Sequence, residues 1–265
     1  MTETAGHALL TDRVAVVAGI GPGMGRDIAL ALAREGADVV LGARTEERLV
    51  EVAAEVEALG RRAAWRVTDV TDDEHCRGLA GAAAEEFGRL DVLVTNAFVQ
   101  PPLEPIADTD IDTWQHAFDV NLLGAVRMTK AALPHLRVRG GAIVFIGSMS
   151  ARRIRRNFGV YAATKAALLT TAQTLAKEVG REGIRVNCVV PGYIWGPSLE
   201  WWFEHLAQRQ GRTPQEIYDE IAGENALHHI PTSAEIADIV VFLASDLARV
   251  VTGQSLDVNA GHWFH

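Results

Sequence analysis

Lysine is almost missing from this 265-residue chain, occurring only as Lys130, Lys165 and Lys177 against 22 arginines. A lysine at a chemically useful position is therefore less readily put down to chance. Cysteine is scarcer still, with Cys76 and Cys188 alone. That excludes a disulfide-built scaffold, and two small buried thiols are a plainer reading than a bridge. No apolar run approaches the roughly 20 residues of a membrane span, and stretches such as Arg13 to Ile20 fall well short. The opening MTETAGHALLTDR lacks a basic region followed by an apolar one, so no targeting segment is expected and a cytoplasmic location is. Excess positive charge is absent too: a net charge of −9 argues against general affinity for nucleic acid or an anionic membrane. His262 and His265 have no neighbours at metal-ligand spacing, so no metal is expected.

What is present is ordinary in bulk and ordered in detail. Hydrophobic residues at 48% and charged ones at 22% suit a globular chain able to bury a sizeable core. Short valine-rich runs alternate with amphipathic stretches. Strands are expected at 12–19, 37–42, 63–68, 91–95, 141–146, 184–190 and 255–258. Helices are expected between them, with Thr45 as a cap for 46–59, a Thr71/Glu74 capping box opening the next, and one long helix over 111–136. Apolar strands alternating with helices argue for an α/β chain with a mostly parallel sheet covered on both faces. The rhythm breaks over 191–231, where Thr213, Pro214 and Glu216 mark one short helix, and a further helix follows from Thr232. No linker or composition shift divides residues 1–265, so a single domain is expected.

Gly19, Gly23 and Gly25 lie between the first strand and its helix. Glycines there let the backbone turn tightly and approach a pyrophosphate, whose charge the free N–H groups of the helix start receive. The second strand ends in Gly42, Ala43 and Arg44, with no carboxylate to meet an adenosine ribose. Arg44 can offer a fork of donors to a 2′-phosphate, which favours NADP(H); an Arg44 that is solvated or stacked on adenine leaves NAD(H) open. Asp69 is placed to accept from an adenine amino group, with helix capping as the plainer alternative, and Asn96 and Ala97 are small enough for close approach to the cofactor.

Ser148, Tyr161 thirteen residues on, and Lys165 four further form a proton-transfer set. On one helix the four-residue spacing puts Tyr161 and Lys165 on one face. A free phenol has a pKa of about 10, so it needs help near neutrality. The Lys165 ammonium favours phenolate by charge, and Ser148 can donate to a substrate oxygen. Asn121, polar in an apolar helix, reads either as a core amide capping a backbone defect or as support for a water feeding protons to Lys165.

These residues together resemble the short-chain dehydrogenase/reductase family over Leu10 to Gly261. The motifs are GIGPGMG, DV at Asp69 and Val70, NA at Asn96 and Ala97, Asn121, Ser148, YAATK, and PG at Pro191 and Gly192. The resemblance implies a Rossmann-like doubly wound sheet of about seven strands. It also implies a catalytic tetrad of Asn121, Ser148, Tyr161 and Lys165, and a homotetramer or homodimer built partly on the Asn121 and Tyr161 helices. The cofactor contacts it implies are Gly19, Gly23, Met24, Gly25, Arg44, Asp69, Val70, Asn96, Ala97, Tyr161, Lys165, Pro191, Gly192 and Ile194. The expected reaction interconverts a secondary alcohol and a ketone. The Tyr-to-Lys spacing is tighter than in the related enoyl reductases, so double-bond reduction is the less expected chemistry.

Three positions depart from the family: Ala18 for a threonine, Phe98 for the third residue of an NAG motif, and Gly196 for a threonine after PG. Phe98 either narrows the mouth of the site or packs under the cofactor. The substrate region is expected at about 193–231, where Tyr193, Trp195, Trp201, Trp202 and Phe203 can wall an apolar pocket for a bulky or aromatic substrate, unless Trp201 and Phe203 instead anchor a surface helix. Arg152, Arg153, Arg155 and Arg156 read either as receptors for an anionic substrate group or as a solvated or subunit-contacting run. Trp263 and Phe264 are candidates for packing on a partner subunit. A cofactor-binding protein without catalysis, an epimerase or a dehydratase are the rival readings of the same fold.

Overall fold

Valine and its neighbours alternate sides along each strand, and both sides are covered. In the computed structural model, which describes residues 8–264, Val14, Val16 and Ala18 of the first strand enter one core while Ala15 and Val17 enter the other. That is the two-residue period of a pleated strand buried on both faces.

Seven strands form one wholly parallel sheet: β1 (Val14–Ala18), β2 (Asp38–Ala43), β3 (Ala63–Val67), β4 (Val92–Thr95), β5 (Gly141–Ile146), β6 (Ile184–Pro191) and β7 (Ser255–Val258), in the order β3-β2-β1-β4-β5-β6-β7. On one face pack α1 (Met24–Arg34), α2 (Glu46–Ala58) and α9 (Ser233–Ala244); on the other α3 (Asp73–Phe87), α5 (Gly124–Leu136) and α6 (Gly159–Val179). This is a single-domain, Rossmann-like doubly wound fold. Chain order reverses between β1 and β4, and the crevice beyond their carboxyl ends is where such sheets take ligands.

The expected long helix over 111–136 is interrupted. It runs as α4 (Ile111–Phe118), a π-helical turn (Asp119–Leu123) and then α5. Buried Asn121 sits in that turn; its amide accepts from Val99 N at 2.7 Å and donates to Val99 O at 3.0 Å. A polar side chain clamping a neighbouring backbone holds the extra residue in place. The α3 cap also differs from expectation. Asp72, rather than a Thr71/Glu74 box, accepts from Glu74 N and His75 N. Thr71 is instead engaged by Asp69, to which its N–H and hydroxyl both donate. Thr45 precedes α2 but makes no side-chain cap.

The 191–231 stretch carries two helices, α7 (Pro197–Gln210) and α8 (Pro214–Gly223), the second opened by the expected Thr213/Glu216 capping box. They enclose a small core of their own around Phe203, Ala207, Ile217, Ala222 and Ile230. Its base is pinned where Trp195 N donates to Pro231 O at 2.8 Å. Cys76 and Cys188 are buried free thiols.

Candidate active site

The glycine turn is shaped by contacts that no side chain would permit. Gly19 has a φ of +105°, and a Cβ there would lie 2.2 Å from Ala97 N; a Cβ on Gly25 would lie 2.2 Å from Gly19 O. Gly21 and Gly23 face open space. The turn is therefore closed on its protein side and open on the other. Asn96 fastens it by donating from Nδ2 to Gly19 O at 2.7 Å, and its buried Oδ1 has no partner among the described residues.

A cleft of about 560 Å³ runs from this turn to the proton-transfer residues. Gly19, Gly23, Met24, Gly25, Arg44, Asp69, Val70, Asn96, Ala97, Ser148, Tyr161, Lys165, Pro191, Gly192 and Ile194 all line it. Arg44 is exposed at the rim and forms no hydrogen bond or ion pair with a described residue, though its charge is felt at Asp69. The Asp69 carboxyl is held below its usual range, chiefly by the N–H and hydroxyl of Thr71 and further by Arg44. Ser233, at the start of α9, and Leu199 of α7 also line the cleft. Neither was legible beforehand, because the turn and the two helices meet only after folding.

Tyr161 and Lys165 lie one helical turn apart in α6, and Ser148, two residues beyond β5, lines the same cleft. Burial pushes the Tyr161 phenol above its ordinary pKa, and a hydrogen bond with Ser148 pulls the other way. Lys165 is buried and donates to Ile146 O at 2.8 Å; burial lowers its pKa to about 8. Its ammonium is turned to that carbonyl, 5.7 Å from the centre of the phenol ring. Burial is the larger influence on the phenol in this arrangement. Asn121 stands behind the cleft instead of lining it. Besides clamping Val99, its Nδ2 reaches Thr164 Oγ1 at 3.3 Å, beside Lys165.

Phe98 is half exposed at the mouth of the cleft, its ring 6.4 Å from that of Tyr161 and 5.7 Å from Lys165 Nζ. Of the aromatic residues beyond Pro191, Phe203 is fully buried as the anchor of α7, whereas Trp201 is 59% exposed. Trp195 meets Tyr218 edge-on at 4.7 Å, and Tyr193 stacks on Trp202. The arginine run is neither wholly solvated nor free: Arg152 pairs with Asp257, and Arg153 with Glu224 and the His262 ring. Among the described residues no three His, Cys, Asp or Glu side chains form a metal-holding group; His265 lies outside them. No described helix is long and apolar enough to cross a membrane.

A cleft with a glycine-rich turn at one end, at the switch point of a doubly wound sheet, and a Ser, Tyr and Lys set at the other defines a nicotinamide-dependent oxidoreductase. The chain belongs to the short-chain dehydrogenase/reductase family and is an NAD(P)-dependent oxidoreductase of alcohols and ketones. A family model described as enoyl-(acyl carrier protein) reductase matches residues 19–262. The cis-4-hydroxycyclohexanecarboxylate dehydrogenase of Sinomonas cyclohexanicum is 35% identical over 95% of this chain and 96% of its own. The short chain dehydrogenase/reductase astE of Aspergillus oryzae is 37% identical over 95% of each. Among solved structures, carveol dehydrogenase from Mycobacterium avium in complex with NAD superposes with a TM-score of 0.90 at 31% identity, covering 96% of this chain and 99% of that one.

Proposed function

We propose that this chain interconverts a bulky apolar or aromatic secondary alcohol and its ketone, with NADP(H) as the favoured cofactor. The observation that carries the reading is the convergence of Ser148, Tyr161 and Lys165 on the cleft that begins at the glycine turn. The turn suits a pyrophosphate: Gly19 and Gly25 leave no room for side chains on its protein side, Gly21 and Gly23 leave its other side open and line the cleft, and the buried Asn96 Oδ1, without a partner among the described residues, belongs to the side chain that fastens it. Gly19, Gly23, Met24 and Gly25 would hold the phosphates, Asp69 and Val70 the adenine, Asn96, Ala97 and Lys165 the nicotinamide ribose, and Pro191, Gly192 and Ile194 the nicotinamide. The nicotinamide, when bound, supplies or accepts the hydride.

In the reducing direction Tyr161 donates its phenolic proton to the ketone oxygen while Ser148 donates a hydrogen bond to the same atom. In oxidation the phenolate takes the hydroxyl proton. Lys165, once turned from Ile146 O, lends its charge to that phenolate. Asn121 acts from behind, fixing Val99 and the backbone near Lys165 and supporting a water that returns protons. The aromatic excursion over 193–231 closes over the substrate and excludes water.

The uncompensated Arg44 at the rim supports NADP(H), against the NAD held by the carveol dehydrogenase relative. The four-residue Tyr-to-Lys spacing supports carbonyl over double-bond chemistry, and the relative from Sinomonas cyclohexanicum is named for a cyclic alcohol. The groove between α5 and α6, lined by Val126, Leu133, Ala167 and Leu175, supports assembly into a homodimer or homotetramer, which light scattering reads directly.

The deciding assay follows cofactor absorbance over a panel of aryl and cyclic ketones, their alcohols and a matched enoyl thioester, with each cofactor. Ketone reduction is expected, and Tyr161→Phe is expected to bind cofactor but lose about 10²–10⁴-fold in kcat. A variant keeping more than about a tenth of the rate removes Tyr161 from the acid/base role. Arg44→Ala is expected to lower kcat/KM for NADPH about tenfold and leave NADH nearly unchanged, in line with one charged contact. A wild type that prefers NADH overturns the cofactor assignment.

A further inference from the structure

Phe98 is fastened through the backbone on both sides, yet it is 51% exposed. Before it, Asn96 N and Ala97 N both donate to Ala18 O, at 2.8 and 2.9 Å. After it, Asn121 holds Val99 by accepting from its N–H and donating to its carbonyl. The Phe98 ring lies 6.4 Å from the Tyr161 ring at a tilt of 60°, and 5.7 Å from Lys165 Nζ. Single exposed apolar side chains are ordinary on an open surface. This one lines the cleft together with Ser148 and Tyr161, so what it leaves uncovered is a wall beside the reacting groups.

The order of the sheet decides what stands opposite that wall. Strands β4, β5 and β6 are neighbours in that order. Phe98 follows β4 by three residues, Ser148 follows β5 by two and Ile194 follows β6 by three. Adjacent strands stand about 4.8 Å apart, so the chain reaches Ser148 between Phe98 on one side and the start of the aromatic excursion on the other. The two sides are unequal. Towards β4 the tilted Phe98 ring closes on Tyr161. Towards β6 the cleft is lined by Ile194, Trp195, Gly196 and Leu199, and a Cβ on Gly196 would meet nothing within 4 Å. A carbonyl carbon held at Ser148 and Tyr161 presents one substituent to each side.

We propose that Phe98 is a specificity-determining residue: it restricts the substituent on the β4 side of the carbonyl to a small group and sends the larger one towards the excursion. The proposal rests on the oxidoreductase reading above and narrows its substrate class to ketones with one small and one large substituent, or the matching secondary alcohols. With the proton donors fixed, assigning each substituent to one side also fixes the hand of the alcohol.

The test keeps a phenyl group and enlarges the other substituent, from acetophenone through propiophenone to isobutyrophenone, each reduced by the full chain with its preferred reduced cofactor. Wild type is expected to lose about tenfold or more in kcat/KM from methyl to isopropyl, the scale on which an apolar pocket discriminates added carbons. Chiral chromatography is expected to find one enantiomer of 1-phenylethanol. Phe98→Ala is expected to raise the isobutyrophenone-to-acetophenone ratio of kcat/KM about tenfold, through a gain on the larger ketone, and to yield both enantiomers of 1-phenylethanol. Phe98→Trp is expected to steepen the series instead. A gain on the larger ketone is an effect that a misfolded or merely weakened variant does not produce. A wild-type series that does not fall, refusal of acetophenone by a wild type that reduces other ketones, or a ratio unchanged in Phe98→Ala overturns the proposal. So does an equal loss on all three ketones matched by weaker cofactor binding, which assigns the ring to the cofactor. Any of these results alongside ketone turnover sinks the role of Phe98 alone, whereas no cofactor consumption with any ketone sinks the oxidoreductase reading beneath it.

Discussion

The glycine turn between β1 and α1 and the aromatic excursion over 193–231 both border one cleft, yet they are built on opposite principles. At the turn, backbone meets backbone: Gly25 approaches Gly19 O so closely that a Cβ would sit 2.2 Å away, and Asn96 fastens the same carbonyl. In the excursion, large side chains meet each other, with Phe203 fully buried among Trp195, Trp202 and Tyr218. Under the proposed function, the turn stripped of side chains meets a ligand's common part, the phosphates, and the aromatic excursion meets its variable part. A small core that is separate from the two faces of the sheet can also open without disturbing the sheet, as low-stability units over binding sites commonly do.

Phe203→Ala tests that separation most severely. Emptying this site is expected to cost about 3–5 kcal/mol. Because the core is local, the loss is expected as faster hydrogen exchange over α7 and α8 and a raised KM for ketone, with cofactor affinity kept within about threefold. Equal loss of cofactor binding would mean that the two regions form one cooperative unit.

Gly25→Ala attacks the other side of the comparison. The added methyl meets Gly19 O, Asn96 Nδ2 and Ile20 Cα within 3.0 Å, and the strain is expected to be about 1–3 kcal/mol. Cofactor affinity measured by fluorescence titration is expected to fall at least tenfold while exchange over α7 and α8 stays as in wild type. A full-affinity variant would show that the turn has more slack than its packing indicates.

Lys165, which lines the cleft that both regions border, gives a third test. In the folded chain burial lowers its pKa to about 8 from an ordinary 10.5. Between those values the unfolded chain binds more protons, so stability rises with pH. Below about pH 8 the buried ammonium is a standing cost, and that cost fades as pH climbs toward 10.5. Lys165→Met is therefore expected to stabilise the cofactor-free protein at pH 7 and to lose that advantage by pH 10 in urea unfolding. A constant difference across that range would remove desolvation as the cause.

Legibility followed the same division. The strands at 141–146 and 255–258 and the Thr213/Glu216 cap could be read directly because their signals are local: alternating or continuous apolar residues and a cap three residues from its partner. Helix α7 was legible only as the alternative in which Trp201 and Phe203 anchor a surface helix, although Pro197 at its start and Gly211 at its end mark it, because its interior mixes aromatic and charged residues without a clean stripe. Asn121 was legible as a core amide at a backbone defect or as support for a water; that the defect is a π-turn bonded to Val99, 22 residues away, needed the folded chain. The pairing of Arg152 with Asp257 joins residues 105 apart, a separation at which no periodic signal survives.

The sequence by itself determined the class of fold, the glycine turn and the short spacing of Ser148, Tyr161 and Lys165, since each depends on residue type over a short stretch. Only tertiary structure decided which way Lys165 points, that Phe98 stays half exposed beside Tyr161, and which arginines of the run pair with a described carboxylate. Those outcomes depend on what distant segments bring to the same place: Ile146 O draws the ammonium, and Asp257, Glu224 and Tyr193 divide the arginine run between them.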